Sequence, residues 1–403
     1  MNLTAKQEAS EMTADPGDGS VTAARMRAII GELSARYLER EHVIRPLVAC
    51  LLAGQHSLLV GPPGTAKSQL ARDLAGRIHG ASYWEILLSK FTDPKQMFGP
   101  VDVAALMKGT YRQVLEKRAT QAHIGFIDEI FKCNPAALNA LLAFLNERIY
   151  HPDAGGDPIP CPLIGAITAS NELPEEEESA AIYDRLLVRI QVDYLDDADN
   201  FASLIRSAAA TAAPAEPTRV PLADLQIAVH THVPQVQVPE EVIDTVVDLR
   251  AALRGAGLVA SDRRWKQAIR LLQANAWIDG RTQASIDDLQ LLEHVLWAEP
   301  SQRPTVQRQL LEVVNPHARE ALELADAIGQ LEDEWAALEG KSEAKVAEWA
   351  IKEANSKLRR AATRLQELRE AAMGAGRSTT TIDEVTCRLK ELQKRVMSEA
   401  LGI

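Results

Sequence analysis

The apolar residues of this chain recur in two rhythms. From Ala23 to Leu52 they fall at helical spacing, through Met26, Ile29, Ile30, Leu33 and Tyr37 and then through a second stretch that begins at Val43. Beyond Leu52, short continuous apolar runs alternate with amphipathic ones. Ser57–Val60, Tyr83–Leu88, Ile124–Asp128, Leu163–Ala169 and Leu187–Val192 read as strands, with helices between them. This alternation predicts an α/β fold: a mostly parallel sheet covered on both faces, with ligands at the carboxyl ends of its strands.

Two segments interrupt the pattern. RIYHPDAGGDPIPCPLIGA has extended arms around Gly155 and Gly156 and reads as a β-hairpin projecting from the sheet. AAATAAPAEPTRVP, Ala208 to Pro221, is rich in alanine and proline and reads as a linker, after which the chain is helical to about Ala298.

Beyond Pro304 the apolar positions step alternately by four and three, as a heptad seam does: Leu310, Val314, then Ala321, Leu324, Ile328, Leu331, Trp335 and Leu338. A second seam runs through Ala347, Ile351, Ala354, Leu358, Ala361, Leu365 and Leu368, and a third through Ile382, Val385, Leu389, Leu392 and Val396. Thr381 and Glu384 have capping-box spacing at the start of the third, and Gly374 and Gly376 close the second. Helices with one apolar stripe each predict an antiparallel helical appendage.

The strand ending at Val60 runs into GPPGTAKS, Gly61–Ser68, and an amphipathic helix follows. Small residues there let successive backbone N–H groups point at an anion, and the helix adds its positive end. The expected triphosphate contacts are Gly61, Pro62, Pro63, Gly64, Thr65, Ala66, Lys67, Ser68 and Gln69, with Lys67 reaching the β- and γ-phosphates and Ser68 a ligand of Mg²⁺. The strict pattern has glycine where this chain has Ala66. A methyl group is tolerated there if φ is negative and strained if φ is positive.

The strand IGFIDEI delivers Asp128 and Glu129 to its carboxyl end. Hydrolysis of a magnesium nucleotide needs such a pair, the first carboxylate to hold the metal and the second to orient or deprotonate the attacking water. The stretch ITASNE sets Asn171 just past another apolar strand, where its amide can hydrogen-bond that water.

Composition narrows the classes. The chain has 403 residues, 46% hydrophobic and 25% charged, enough for two or three domains with full cores. A net charge of -12 with 4% aromatic residues argues against a general nucleic-acid surface. Cys50, Cys133, Cys161 and Cys387 are far apart and lack metal-ligand spacing, which suits reduced thiols of a cytoplasmic protein. No run approaches the roughly 20 apolar residues of a membrane span.

Gly61–Ser68, Phe126–Glu129, Ser170-Asn171 and YDRLLVRI at Tyr183–Ile190 resemble the Walker A, Walker B, sensor 1 and arginine-finger segments of the MoxR family of AAA+ ATPases. FGPVD, LLAFLNER, SNELPE and SDRRWKQAIRLLQA are similar to the RavA-like (regulatory ATPase variant A) branch, over about residues 23 to 300. The family often carries a small residue other than glycine before the Walker lysine. The resemblance implies an ATPase using ATP/ADP and Mg²⁺, in which Lys67 and Ser68 bind phosphate and metal, Asp128 supports the metal, Glu129 activates water and Asn171 is sensor 1. It implies that Arg185 is the finger reaching a neighbour's γ-phosphate, with Arg189 ranked second. Arg263 matches sensor 2, with Arg264 the adjacent choice; neighbours on a helix point about 100° apart, so one aims at phosphate and the other faces solvent.

By composition and periodicity residues 1–20 read as a solvated, disordered tail, 208–221 as a linker and 301–403 as the helical appendage, while the resemblance implies an AAA+ αβα domain over 21–207 and a helical lid over 222–300. Phe98–Leu115 is similar to the family's helix 2 insert and Ile149–Ile164 to its pre-sensor 1 hairpin. The implied assembly is a homo-hexameric ring that remodels a client protein, with a von Willebrand factor A-type partner and no nucleic acid. RavA-like proteins interrupt their C-terminal helices with a compact β-rich insertion, and after Pro304 this chain has no strand-rich block. A nucleotide-switched scaffold, or a DNA-acting motor, would share the same phosphate loop.

Overall fold

The structure is a computed structural model, in which residues 19–152, 157–174, 177–209, 216–338, 349–350, 354–375, 377–396 and 398 are described. The chain divides into two units, one within residues 1–242 and 259–301 and one within 243–258 and 302–403.

The first unit is built on five parallel strands, β1 (His56–Val60), β2 (Tyr83–Leu87), β3 (Ile124–Asp128), β4 (Gly165–Ser170) and β5 (Leu186–Gln191), in the order β2-β3-β4-β1-β5. The apolar runs fall on them within one or two residues. The fourth starts later than its pattern suggests, because the Leu163 carbonyl takes the Arg148 guanidinium and Ile164 N–H donates to the His123 carbonyl, outside the ladder. All residues of β1 and β4 are buried, as strands covered on both faces require.

Helices α1 (Gly19–Arg36), α2 (Glu41–Leu52), α3 (Lys67–Gly76), α4 (Pro135–Glu147), α5 (Glu177–Arg185) and α6 (Ala198–Ala209) accompany the sheet. α1 begins two residues inside the segment read as a tail. α4 starts where Asn134 accepts from Ala137 N–H at 2.9 Å and Pro135 occupies the first turn, and it buries Leu141, Phe144 and Leu145 against the sheet. There Phe98 meets Phe144 edge-on at 5.5 Å and stacks on Tyr150 at 4.7 Å. Phe98 anchors the FGPVD insert. Gly99, at φ 123°, closes its neck, since a Cβ there would stand 2.3 Å from the Val114 carbonyl oxygen. The hairpin pairs Ile149–Tyr150 with Ile159–Pro160 antiparallel, while Gly155 and Gly156 lie outside the described residues.

The far half of the segment read as a linker is held to the sheet domain: Thr218 donates to Glu32, Val220 N–H to the Arg77 carbonyl, and Val220 is fully buried. A lid helix, α7 (Asp262–Ile278), follows and docks on α2 through Arg45, which bonds Asn275 and Asp279 at 2.8 Å each. Buried His56 accepts from Ala166 N–H at Nδ1 and donates from Nε2 to the Leu145 carbonyl, so it spans β1, β4 and the end of α4 as a neutral ring.

Among the described residues of the second unit, α8 (Arg303–Val314) precedes α9 (Pro316–Ala336), α10 (Asn355–Gly374) and α11 (Thr380–Arg395). Ala321, Ile328, Leu331 and Trp335 of α9, Leu358, Leu365 and Leu368 of α10, and Ile382, Val385, Leu389 and Leu392 of α11 form one buried cluster, so the seams do meet one another. Glu320–Arg364 and Arg369–Asp383 pairs link successive helices antiparallel. Asn315 divides the first seam into two helices, capping α9 by accepting from Ala318 N–H. The capping-box reading is corrected: α11 starts two residues earlier, with Thr379 as N-cap, so Thr381 and Glu384 lie inside the helix. Ala347, Ile351 and Gly376 lie outside the described residues.

Candidate active site

Strand order places the chemistry. β4 lies between β3 and β1, with Val60 opposite Ser170 and Ile127 opposite Thr168. The residues that leave the carboxyl ends of these strands therefore emerge side by side: Asp128 and Glu129 from β3, Asn171 from β4 and Gly61 from β1. Gly61 N–H donates to the Ser170 carbonyl at 3.1 Å, which joins the phosphate loop to the asparagine's strand.

Gly61 has to be glycine because a Cβ there would stand 2.0 Å from the Val192 carbonyl oxygen. Ala66 lies in the left-handed region at φ 62°, ψ 22°, so its methyl is on the strained side of the alternative, at about 1–2 kcal/mol. Thr65 Oγ1 donates to the Pro62 carbonyl at 3.0 Å and braces the loop. Lys67 opens α3, with its Nζ donating to the carbonyls of Gly61 and Pro62, both at 2.7 Å, and to Asn171 Oδ1 at 3.3 Å. Burial lowers the Lys67 pKa, opposed by the Asp128 and Glu129 charges.

Asp128 Oδ1 accepts from Glu129 N–H at 3.0 Å. Burial raises the Asp128 pKa, the Glu129 charge adding to it while the Glu129 amide and the Lys67 charge oppose it. Glu129 is left-handed, with φ 53°, and its Oε1 accepts from Asn171 Nδ2 at 2.9 Å. Its Oε2 is shielded from solvent and accepts no hydrogen bond, although Lys132 Nζ stands 3.3 Å away. Lys67, Asn171 and Glu129 thus form one continuous polar line.

The residues fit the expected occupants. A buried ammonium satisfied only by neutral oxygens has capacity for a polyanion, and a carboxylate pushed towards protonation has capacity for a cation. Half-buried Ser68 follows Lys67 in the first turn of α3. Among the described residues no three or more His, Cys, Asp or Glu side chains cluster to hold a metal by themselves. Mg²⁺ suits such a site, because it takes one or two protein oxygens and completes its shell with phosphate and water.

Four arginines separate into two kinds. Arg185, the last residue of α5, bonds the Ala181 carbonyl at 2.5 Å, and its Nε is buried without an acceptor. Burial lowers its pKa, and the nearby charge of exposed Arg263 lowers it further. Arg189 is 3% exposed in β5, bonds the Tyr183 and Trp297 carbonyls, and stacks 3.6 Å over the Tyr183 ring, so it is a packing residue. Arg264 does not face solvent. It is buried, donating to the carbonyls of Leu186, Leu187 and Val295 at 3.1, 2.6 and 2.6 Å, and burial pushes its pKa down to about 9. Arg263 is the sensor 2 candidate left free to move. Ser261 Oγ, at the start of the same helix, donates to Asp184 Oδ1 at 3.1 Å, so α7 begins beside Arg185.

Sequence reasoning missed a cleft of about 390 Å³ lined by Glu39, Arg40, Glu41, His42, Asp193 and Tyr194. Tyr194 OH donates to the Pro63 carbonyl at 3.2 Å, so this cleft adjoins the phosphate loop. Glu39 accepts from the Asp196 and Asp197 amides ahead of α6. These contacts run through backbone, and no side-chain pattern announces them.

Comparison with known proteins agrees with this geometry. Residues 24–228 match a family model described as the MoxR domain in the MoxR-vWA-beta-propeller ternary systems, and residues 241–310 match an AAA lid domain. An uncharacterized protein of Methanocaldococcus jannaschii is 34% identical over 366 residues, covering 90% of this chain and 94% of that protein. A second protein of that organism is 35% identical over 306 residues, covering 75% and 79%. A crystal structure of a protein from Cytophaga hutchinsonii shares the fold at a TM-score of 0.59 and 18% identity, covering 77% of this chain and 97% of that one.

Proposed function

The chain belongs to the MoxR family of AAA+ ATPases, and from that membership we propose that it binds magnesium ATP at Gly61–Gln69 and hydrolyses it with Glu129 as base. The observation that carries this reading is the line Lys67–Asn171–Glu129 across three adjacent strand ends. The loop amides and the Lys67 ammonium hold the β- and γ-phosphates, and the cleft at Glu39–His42 and Tyr194 seats the base. Ser68 and Asp128 would hold Mg²⁺, which supplies neutralisation of the phosphate oxygens. Asn171 orients the attacking water, and Glu129 accepts its proton as the oxygen attacks the γ-phosphorus and the bond to the β,γ-bridging oxygen breaks, with ADP as the leaving group.

We assign stabilisation of transition-state charge to Arg185 and Arg263. We assign Arg185 to the site of a neighbouring copy, which makes hydrolysis depend on ring assembly, a hexamer in our reading. The RavA-like motifs FGPVD and SNELPE support placement in that branch, and the matched family description, which names vWA systems, supports a von Willebrand factor A-type partner. The work of the ring is remodelling of a client protein. No described helix is long and apolar enough to cross a membrane. Turnover of ATP by the purified chain tests the reading: Lys67→Ala and Glu129→Gln should each abolish it, and an unchanged rate in both would remove the proposal.

A further inference from the structure

We infer that Lys132 is a positioning residue for hydrolysis: together with Asn171, its side chain holds the Glu129 carboxylate in a resting pose from which catalysis has to release it. The inference rests on the reading of Glu129 as the water-activating base. A base must present a lone pair to its water. Here one lone pair of Oε1 is engaged by the Asn171 amide at 2.9 Å, and Oε2 is shielded from solvent with the Lys132 ammonium 3.3 Å away.

The backbone builds this arrangement. The left-handed conformation of Glu129 starts a single 3₁₀ turn, Ile130–Lys132, in which Lys132 N–H donates to the Glu129 carbonyl at 2.9 Å. Ile130 is fully buried and pins the turn. The two charged side chains at its ends are therefore brought together by the main chain rather than by chance on a mobile surface. A left-handed glutamate is held against its intrinsic preference, as strained residues at functional sites are.

The same turn reaches an arginine candidate. Phe131, between Ile130 and Lys132, meets the Tyr183 ring edge-on at 6.0 Å, and Tyr183 stands two residues before Arg185 on α5. A displacement of α5 when Arg185 engages a neighbour is thus felt at the turn that carries Lys132. Release of Glu129 would then follow assembly. The Lys132 side chain is 44% exposed, so it can be replaced without opening a cavity.

Steady-state ATP turnover, ATP affinity and thermal unfolding of the full chain test this in Lys132→Met, Lys132→Arg and Glu129→Gln. A half-exposed ion pair biases a conformational equilibrium by about two- to five-fold, so Lys132→Met should raise kcat by that factor, with KM and melting temperature unchanged and Lys132→Arg close to wild type. If Met lowers the melting temperature, Lys132→Gln removes the same charge and is held to the same rise. If Glu129→Gln is inactive while the uncharged Lys132 variants turn over at or below the wild-type rate, the role of Lys132 is overturned alone. Wild-type turnover in Glu129→Gln would instead overturn the reading of the base.

Discussion

Asn171 Nδ2 donates to Glu129 Oε1 at 2.9 Å. Strand order produces this contact, because β4 delivers its asparagine between the carboxylates of β3 and the loop of β1. The other end of the amide faces Lys67, so one side chain joins the residue proposed to bind phosphate to the residue proposed as the base.

Asn171→Ala should therefore damage chemistry more than binding. Loss of one donor to the reacting centre typically lowers kcat by about 10²-fold or more. The expected outcome is that fall in turnover with ATP affinity within a few-fold of wild type. A parallel loss of affinity and rate would indicate instead that Asn171 only shapes the phosphate loop.

Ala66 offers a test of the loop's backbone. Glycine at φ 62° removes the methyl strain but frees the unfolded chain, and the first effect is the larger. Ala66→Gly should raise unfolding stability by up to about 1 kcal/mol while nucleotide binding persists, whereas Ala66→Val should lower it. Denaturant unfolding of the two variants measures both signs.

The five strands, the loop of Gly61–Ala66 between β1 and α3, and the place of Asp128 and Glu129 at the end of β3 were legible in the sequence because each rests on local pattern: strand periodicity, small residues before a lysine, acids closing an apolar run. What depended on the path of the chain was not. Arg189 shares the spacing of a helix face with Arg185, but the chain passes from helix to strand at Leu186, and the arginine turns into the core. Arg263 and Arg264 are distinguished only by which side of α7 meets the carbonyls of β5. Lys132 comes to Glu129 through a left-handed backbone that no residue type there signals, and Tyr194 meets the loop through a carbonyl.

The two neighbouring arginines should behave oppositely. Arg264→Met strips several buried carbonyls of their donor and should lower stability by about 3 kcal/mol, read as a fall in the denaturation midpoint. Arg263→Met should leave stability within about 0.5 kcal/mol and reduce turnover by about tenfold or more. Equal destabilisation by both would contradict the division.

His56 sets an acid limit on the fold. Burial pushes its pKa down to about 4 from 6.5, the Arg148 charge adding to this, so the folded state keeps the ring neutral where the unfolded state protonates it. Its contribution is fully present above pH 6.5 and is lost as pH falls towards 4, amounting to about 3 kcal/mol over that window. Unfolding free energy measured from pH 7 to 4 should decline less steeply in His56→Gln than in wild type.

Titration calorimetry of magnesium ATP into Glu129→Gln protein tests the central claim most directly, since that variant keeps the phosphate cradle and should not turn over. The account predicts saturable binding that Lys67→Ala, introduced into the same background, eliminates. Absence of binding in Glu129→Gln, or binding that survives the loss of Lys67 undiminished, would contradict it.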